Sequence, residues 1–133
     1  MKTAPILVVD DDPDIRETII EALGDEGIAA IGAADGREAL DLLHSGTRPA
    51  VILLDLMMPG MSGADFLLAQ RAAPALAAIP VVLLSADANV GTKAASLDAT
   101  EFLRKPIKLE LLIATALRYA QASIDPNSPR TEG

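Results

Sequence analysis

The segment from Ile6 to Pro13, ILVVDDDP, decides the fold. Its four consecutive apolar residues, three of them β-branched, are typical of a strand that is buried on both faces. The acidic run ends this strand, and Pro13 suits the first turn of a helix with Asp12 as a possible N-cap. A buried strand that leads directly into a helix indicates an α/β protein.

The same alternation of strand and helix recurs along the chain. Further strands are predicted around 29–33, at 51–54, at 81–84 and around Phe102, and each predicted helix carries one apolar face. The segment 89–98 predicts a weak, alanine-rich helix. The last helix presents Leu109, Leu112, Ile113, Ala116 and Ala120 on one side. We therefore expect five parallel strands with helices on both faces of the sheet.

The chain has the size of one domain. We expect residues 1–122 to form this domain and residues 123–133, which are polar and contain proline, to be a flexible tail.

Composition narrows the possible functions. The formal net charge of −8, with two Phe, one Tyr and no Trp, disfavours nucleic acid as a partner. No apolar run is long enough to span a membrane, and no secretory signal is visible, so we expect a cytoplasmic protein. The absence of cysteine excludes thiolate-bound metals.

Polar side chains follow the predicted strands where each strand ends. They are Asp10 and Asp11, then Asp55, Ser85 and Lys105. The carboxyl ends of parallel strands meet at one edge of a sheet, where ligands bind. Carboxylates without histidine or thiol neighbours suit Mg²⁺. A carboxylate beside the metal can attack a phosphoryl group and form an aspartyl phosphate, while an ammonium and a hydroxyl contact the phosphoryl oxygens.

Each of these residues also has a purely structural explanation. The acids at 10–12 could only complement a helix dipole, and Asp55 could cap a loop. Ser85 and Lys105 could be a strand-end hydroxyl and a solvated surface residue. Their joint occurrence at successive strand ends favours a site.

Four motifs in order along the chain resemble the receiver domain of two-component response regulators. They are ILVVDD at 6–11, DLMMPGMSG at 55–63, Ser85-Ala86 and Lys105-Pro106, and the resemblance runs from about residue 6 to residue 122. It is similar to the stand-alone chemotaxis type, which implies a flavodoxin-like receiver fold with strand order 2-1-3-4-5. It also implies a cis peptide bond between Lys105 and Pro106.

The resemblance assigns roles around the acidic residues. Asp55 is the phosphoacceptor, and Asp11 binds Mg²⁺ directly with the help of Asp10. The main-chain carbonyl of Met57 completes the protein's share of the metal ligands. The chain is then a signalling phosphoacceptor and not an enzyme in the ordinary sense, although it assists its own phosphorylation and dephosphorylation.

The resemblance also implies a switch. Ser85 and Lys105 contact the phosphoryl group, and Phe102 occupies the position of the switch aromatic residue. Because Phe has no hydroxyl, we expect a stronger inward bias of this ring than a Tyr would show. Phosphorylation would then change a surface formed by the predicted helix at 89–98, the strand at Phe102 and the last helix. The segment between Ser85 and Lys105 is about two residues shorter than is usual in the family.

Partners follow from the same resemblance. A sensor histidine kinase or a histidine-phosphotransfer protein would donate the phosphoryl group, docking on the first helix at Ile15, Ile19 and Ile20. A downstream protein target would read the result, either through this domain or through an effector outside the sequence.

Two alternatives stay open. Asp10-Asp11-Asp12 also fits the Asp-x-Asp start of haloacid-dehalogenase-type phosphatases, in which Asp10 would carry the phosphoryl group. That family favours Thr or Val at the position of Asp14, and a late acidic pair and a cap domain are missing. A receiver-shaped scaffold that is never phosphorylated is the other alternative, and the complete set of site residues argues against it.

Overall fold

The computed structural model describes residues 4–56, 58, 60–86 and 99–124, without the side chains of 122–124. The strands are β1 (Ile6–Val9), β2 (Ala30–Ala33), β3 (Val51–Asp55), β4 (Val81–Ser85) and β5 (Glu101–Arg104). The helices are α1 (Pro13–Asp25), α2 (Gly36–His44), α3 (Gly63–Ala72) and α4 (Leu109–Ile124). All strand pairs are parallel, and the order β2-β1-β3-β4-β5 confirms the predicted sheet. The helix predicted at 89–98 lies outside the described residues.

The alternation of side chains along each strand divides the core into two layers. On one face of the sheet, Ile6 and Val8 pack with buried residues of α1 and α4. On the other face, Leu7 and Val9 pack with buried residues of α2 and α3. The strands are thus buried on both faces, which explains why their sequences are continuously apolar.

Side-chain caps begin the first three helices. The Asp12 carboxylate accepts hydrogen bonds from the backbone N–H groups of Asp14 and Ile15, which confirms this residue as the N-cap of α1. Asp35 and Ser62 cap α2 and α3 in the same way. Because each cap directly follows a strand or its loop, the chain turns into a helix at the carboxyl edge of the sheet.

The last helix departs from the sequence-based expectation at both ends. It continues to Ile124, two residues into the predicted tail. Leu109 was assigned to the core-facing stripe, but this side chain is exposed because it stands at the first position of the helix. Among the described residues, no helix is long and apolar enough to cross a membrane.

Gly63 allows α3 to start against the end of β3. Its N–H donates to the carbonyl of Leu56. A Cβ at Gly63 would lie 2.8 Å from the Leu56 Cα and 3.0 Å from the carbonyl oxygen of Asp55, so any larger residue would displace backbone. The glycine therefore holds the loop after Asp55 close to the strand.

A polar cluster joins the edge strand β5 to α4. Arg118 donates to both carboxylate oxygens of Glu101, and the Tyr119 hydroxyl donates to Glu101 Oε1 at 2.9 Å. Burial raises the pKa of Tyr119 from 10.0 to about 12, helped by the hydrogen bond to Glu101 and its negative charge and opposed by Arg118. The phenol therefore stays protonated, and can donate, well above its ordinary range.

We expect the tyrosinate absorbance of the folded protein to titrate near pH 12, since Tyr119 is its one tyrosine. The folded pKa exceeds the unfolded value, so the stability linked to this proton is complete below pH 10 and is lost as the pH rises toward 12. Glu101→Gln should move the midpoint down toward the ordinary value, whereas Glu110→Gln, at the opposite end of α4, should not. A midpoint at the ordinary tyrosine value in the folded wild type would contradict the cluster.

Candidate functional site

The acidic residues meet at the carboxyl edge of the sheet, where strand pairing sets their positions. Val9 pairs with Leu54, so the next residues, Asp10 and Asp55, stand side by side on neighbouring strands. The N–H of Asp10 donates to the carbonyl of Ala33 at 3.1 Å and extends the pairing with β2 by one residue. Neighbouring strands lie about 4.8 Å apart, so this register alone brings the two carboxylates together.

Three carboxylates converge at this edge. Asp10, Asp11 and Asp55 each offer one oxygen, and these oxygens lie within 4.8 Å of one another. Asp10 and Asp55 are buried, with 2% and 5% of their surface exposed, while Asp11 opens to solvent. At that separation two like charges repel by roughly 3 kcal/mol for an effective dielectric constant of about 20. The arrangement therefore favours a cation among the three groups.

The two oxygens of Asp10 differ in their surroundings. Oδ1 accepts a hydrogen bond from the N–H of Asp12 at 2.9 Å. Oδ2 is buried and finds no hydrogen-bond partner among the described residues. Burial of a carboxylate oxygen without a hydrogen-bond donor destabilises the folded state, unless a bound ligand contacts that oxygen. Hard oxygen donors with one open position fit Mg²⁺, which takes one or two carboxylates and keeps several waters.

Lys105 brings a positive charge to the buried carboxylates. Its Nζ lies 3.6 Å from Asp55 Oδ2 and 3.8 Å from Asp10 Oδ2, with 29% of the side chain exposed. Both distances are too long for a hydrogen bond, so the ammonium acts here through its charge. The backbone N–H of Lys105 donates to the carbonyl of Ser85 at 2.8 Å, and the Lys105–Pro106 peptide bond is cis, as the resemblance implied.

Ser85 and Phe102 occupy the other face of the sheet. Ser85 is the last residue of β4 and is buried, and Leu83 on the same strand pairs with Phe102. Alternation therefore places Ser85 and Phe102 on one face. The Phe102 side chain is 42% exposed in this structure, and its bias relative to a tyrosine stays a prediction. The edge position of β5 leaves the ring partly uncovered.

An apolar groove of about 600 Å³ lies next to the carboxylates, between α1 and α4. Asp10, Asp14 and Lys105 are its charged lining residues, and the other lining residues are Ile15, Thr18, Ile19, Leu84, Ala86, Pro106, Ile107, Leu109 and Leu112. The sequence indicated the α1 wall but missed the opposite one. No signal in the sequence marks Leu109 as a groove residue, because its spacing places it in the core-facing stripe of its helix.

Two isoleucines of α1, which the sequence analysis assigned to one docking surface, differ in their surroundings. Ile15 is 42% exposed and lines the groove, whereas Ile20 packs toward Gly32 of β2. Residues 16 and 20 share the helix face that lies next to the one formed by 15, 18 and 19. Ile20 is therefore partly buried against the core, whereas Ile15 is exposed. Met57, the proposed main-chain ligand, lies outside the described residues.

Known proteins are similar to this chain in both sequence and fold. The family model of the response regulator receiver domain matches residues 6–117. Response regulator MprA of Mycolicibacterium vanbaalenii is 40% identical over 111 residues, which cover 82% of this chain and 47% of that protein. MprA of Mycobacterium tuberculosis is 34% identical over 140 residues, covering 91% and 60%. The chain thus spans about half the length of these curated relatives.

Solved receiver structures superpose on most of the chain. Chemotaxis protein CheY4 of Vibrio cholerae is 33% identical with a TM-score of 0.80, over 89% of this chain and 99% of that one. The signal receiver domain of a histidine kinase from Syntrophus aciditrophicus is 31% identical with a TM-score of 0.80, over 94% and 96%.

We expect Asp10→Asn to raise the free energy of unfolding of the metal-free protein by about 1 kcal/mol. The substitution keeps Oδ1 as the acceptor for Asp12 and replaces an anionic oxygen without a hydrogen-bond donor, whose ion-pair partner Lys105 remains beside Asp55, by an amide that can donate to a neighbouring carboxylate. Chemical denaturation with a chelator present measures the change. Asp12→Asn is the matched control, because Asn caps a helix as well as Asp does. A loss of stability in Asp10→Asn, or a gain no larger than the control's, would reject the repulsion described above.

Proposed function

The chain belongs to the response regulator receiver domain family, and we propose that it takes up a phosphoryl group on Asp55 in an Mg²⁺-dependent reaction. Receiver domains are phosphoacceptor modules of two-component signalling. They generally bind Mg²⁺ at an acidic pocket and interact with histidine kinases and downstream effectors. We also propose the cytoplasm as the place where this chain acts.

The observation that carries the proposal is the surroundings of Asp55. Its carboxylate ends a central strand, within 4.8 Å of the oxygens of Asp10 and Asp11 and 3.6 Å from the Lys105 ammonium. Such a carboxylate is held fixed by the sheet and is flanked by a metal pocket on one side and a cation on the other. These are the requirements for accepting a phosphoryl group, where positioning and charge neutralisation supply most of the catalysis.

The metal pocket would be formed by Asp10, Asp11 and Asp55, with the main-chain carbonyl of Met57 as a further ligand. The buried, unpartnered Oδ2 of Asp10 supports this assignment. Mg²⁺ bound there would neutralise charge on the oxygens of the transferring phosphoryl group. The exposed Asp11 leaves the pocket open to solvent, so the ion can enter without a rearrangement of the core.

Phosphoryl transfer then requires little of the protein beyond position. An oxygen of Asp55 forms a bond to phosphorus while the bond from phosphorus to the donor's imidazole nitrogen breaks, and the electron pair of that bond stays on the nitrogen. Lys105 neutralises one phosphoryl oxygen. The Ser85 hydroxyl donates a hydrogen bond to another once the side chains adjust. Hydrolysis reverses the modification when water attacks phosphorus and releases phosphate.

Signal output would start from the Ser85 hydroxyl. Its hydrogen bond to a phosphoryl oxygen would differ between the two states of the domain, and only such a difference can shift their equilibrium. Ser85 and Phe102 share the face of the sheet opposite the groove. The exposed Phe102 ring is then free to move inward upon phosphorylation, which would change the surface around β5 that a protein target reads.

The apolar groove beside the site would receive the phosphodonor. A sensor histidine kinase or a histidine-phosphotransfer protein presents its histidine from a helix. A helix seated between Ile15 and Leu109 would point that histidine toward Asp55 past Lys105, which also lines the groove. The acidic surface of the chain makes nucleic acid a poor partner for these residues.

We expect acetyl phosphate to label the wild-type protein only with Mg²⁺ present, and Asp55→Asn to abolish the labelling. Asp11→Ala should weaken it severely, because the metal pocket loses its solvent-facing ligand. Peptide mapping after borohydride reduction identifies the labelled side chain. Asp41→Asn, which removes an exposed helical carboxylate, is the control. A label on Asp10 would support the phosphatase alternative, and undiminished labelling of Asp55→Asn would sink the assignment.

We expect Ile15→Glu to slow phosphotransfer from a cognate histidine donor by about tenfold or more, since it places a charge in an apolar contact. Labelling by acetyl phosphate should be unchanged, because the substitution leaves the carboxylates intact. Leu68→Glu changes an equally apolar and more exposed residue on α3 and should spare both reactions. Parallel losses with both donors would show that Ile15→Glu damages the site or the fold and not the docking.

A further inference from the structure

Arg16 connects α1 to the end of β1. The half-buried side chain reaches back from the helix, and its Nη1 donates to the main-chain oxygen of Asp10 at 2.8 Å. The aliphatic part of the same side chain crosses β2 at Gly32. A Cβ at Gly32 would lie 2.9 Å from Arg16 Cδ and 3.1 Å from Arg16 Cγ.

Gly32 supplies the space for this crossing. Its backbone does not adopt the positive φ for which other turns of the chain use glycine. A strand interior is also a poor place for glycine on conformational grounds. The close approach of Arg16, together with Ile20 at 3.0 Å, gives a reason for a residue without a side chain at this position.

The carbonyl that Arg16 holds belongs to the peptide unit between Asp10 and Asp11. A hydrogen bond to that peptide plane restricts the backbone rotations beside it, and so restricts the directions in which both side chains leave the backbone. The N–H of Asp10 is already bound to Ala33, and Oδ1 of Asp10 is bound by Asp12. Arg16 therefore completes the anchoring of the residue that carries the buried, unpartnered carboxylate oxygen.

We propose that Arg16, seated in the recess at Gly32, is a positioning residue for the metal pocket: its bond to the Asp10 carbonyl holds the carboxylates of Asp10 and Asp11 in the geometry that Mg²⁺ requires. The inference rests on the metal pocket of the proposed function. Arg16 touches neither the ion nor the phosphoryl group. An arginine suits this task because its planar group combines length with directed donors, which a lysine ammonium lacks.

The direct test is the dissociation constant of Mg²⁺ for the unphosphorylated protein, followed by amide chemical shifts during a titration. Arg16→Gln should weaken binding by about tenfold, the loss typical of groups that orient metal ligands. Arg16→Lys should show most of this loss. Arg48→Gln is the matched control, because Arg48 also donates to main-chain carbonyls, those of Leu43 and Thr47, far from the site. It should leave the constant within about twofold, as expected for a distant, independent position.

A double-mutant cycle tests the recess. Gly32→Ala should weaken Mg²⁺ binding because the new methyl group displaces Arg16, and it should have no further effect in the Arg16→Gln background. Independent, additive losses would overturn the coupling of the two residues. Full binding by Arg16→Lys, with weak binding by Arg16→Gln, would show that only charge matters and would overturn positioning as well.

The same titration separates the two proposals. If the wild type binds Mg²⁺ and the Arg16 variants bind it equally well, the role of Arg16 is refuted and the proposed function stands. If the wild type does not bind Mg²⁺ at all, the metal pocket of the proposed function fails, and the inference fails with it.

Discussion

The convergence of three carboxylates on neighbouring strand ends is the constraint on which the rest of the structure depends. The parallel register places Asp10 beside Asp55, and the capped turn into α1 brings Asp11 to the same point. Such a cluster repels itself and would relax apart in a flexible loop. Here the strands that carry it are buried on both faces, so packing of the core holds the charges together. The cluster is thus suited to hold a cation, which could in turn contact a negatively charged group.

The two faces of the sheet carry different candidate surfaces. The face covered by α1 and α4 carries the apolar groove that Asp10 and Lys105 help to line. The opposite face carries Ser85 and Phe102. Both faces meet only at the carboxyl edge, where Asp55 lies. Under the proposed function, phosphorylation of Asp55 would occur at the edge beside the groove, and the response would appear on the face that carries Ser85 and Phe102.

Much of the sheet and of the carboxylate cluster could be predicted from the sequence. Short apolar runs followed by acidic residues are typical of buried parallel strands whose carboxyl ends carry a binding site. The Asp12 cap follows from a local signal, whereas the strand order came from the resemblance to receiver domains. The groove wall at Leu109, the orientation of Phe102 and the roles of Gly32 and Arg16 could not be predicted. They depend on which helix faces meet and how closely side chains cross a strand, and spacing along one element does not contain that information. The packing of Ile20 on the core is a further example, since residues 15 and 20 lie on different sides of α1.

We propose above all that Asp55 accepts the phosphoryl group within a metal pocket shared with Asp10 and Asp11. A crystal structure of the protein grown with Mg²⁺ and beryllofluoride, a phosphoryl mimic, tests it most directly. We expect beryllium to be bonded to a carboxylate oxygen of Asp55 and the Lys105 ammonium to contact a fluorine atom. We expect Mg²⁺ to be bound by Asp11 and Asp55, beside Asp10. Beryllofluoride on Asp10, or Mg²⁺ bound away from the three carboxylates, would contradict it.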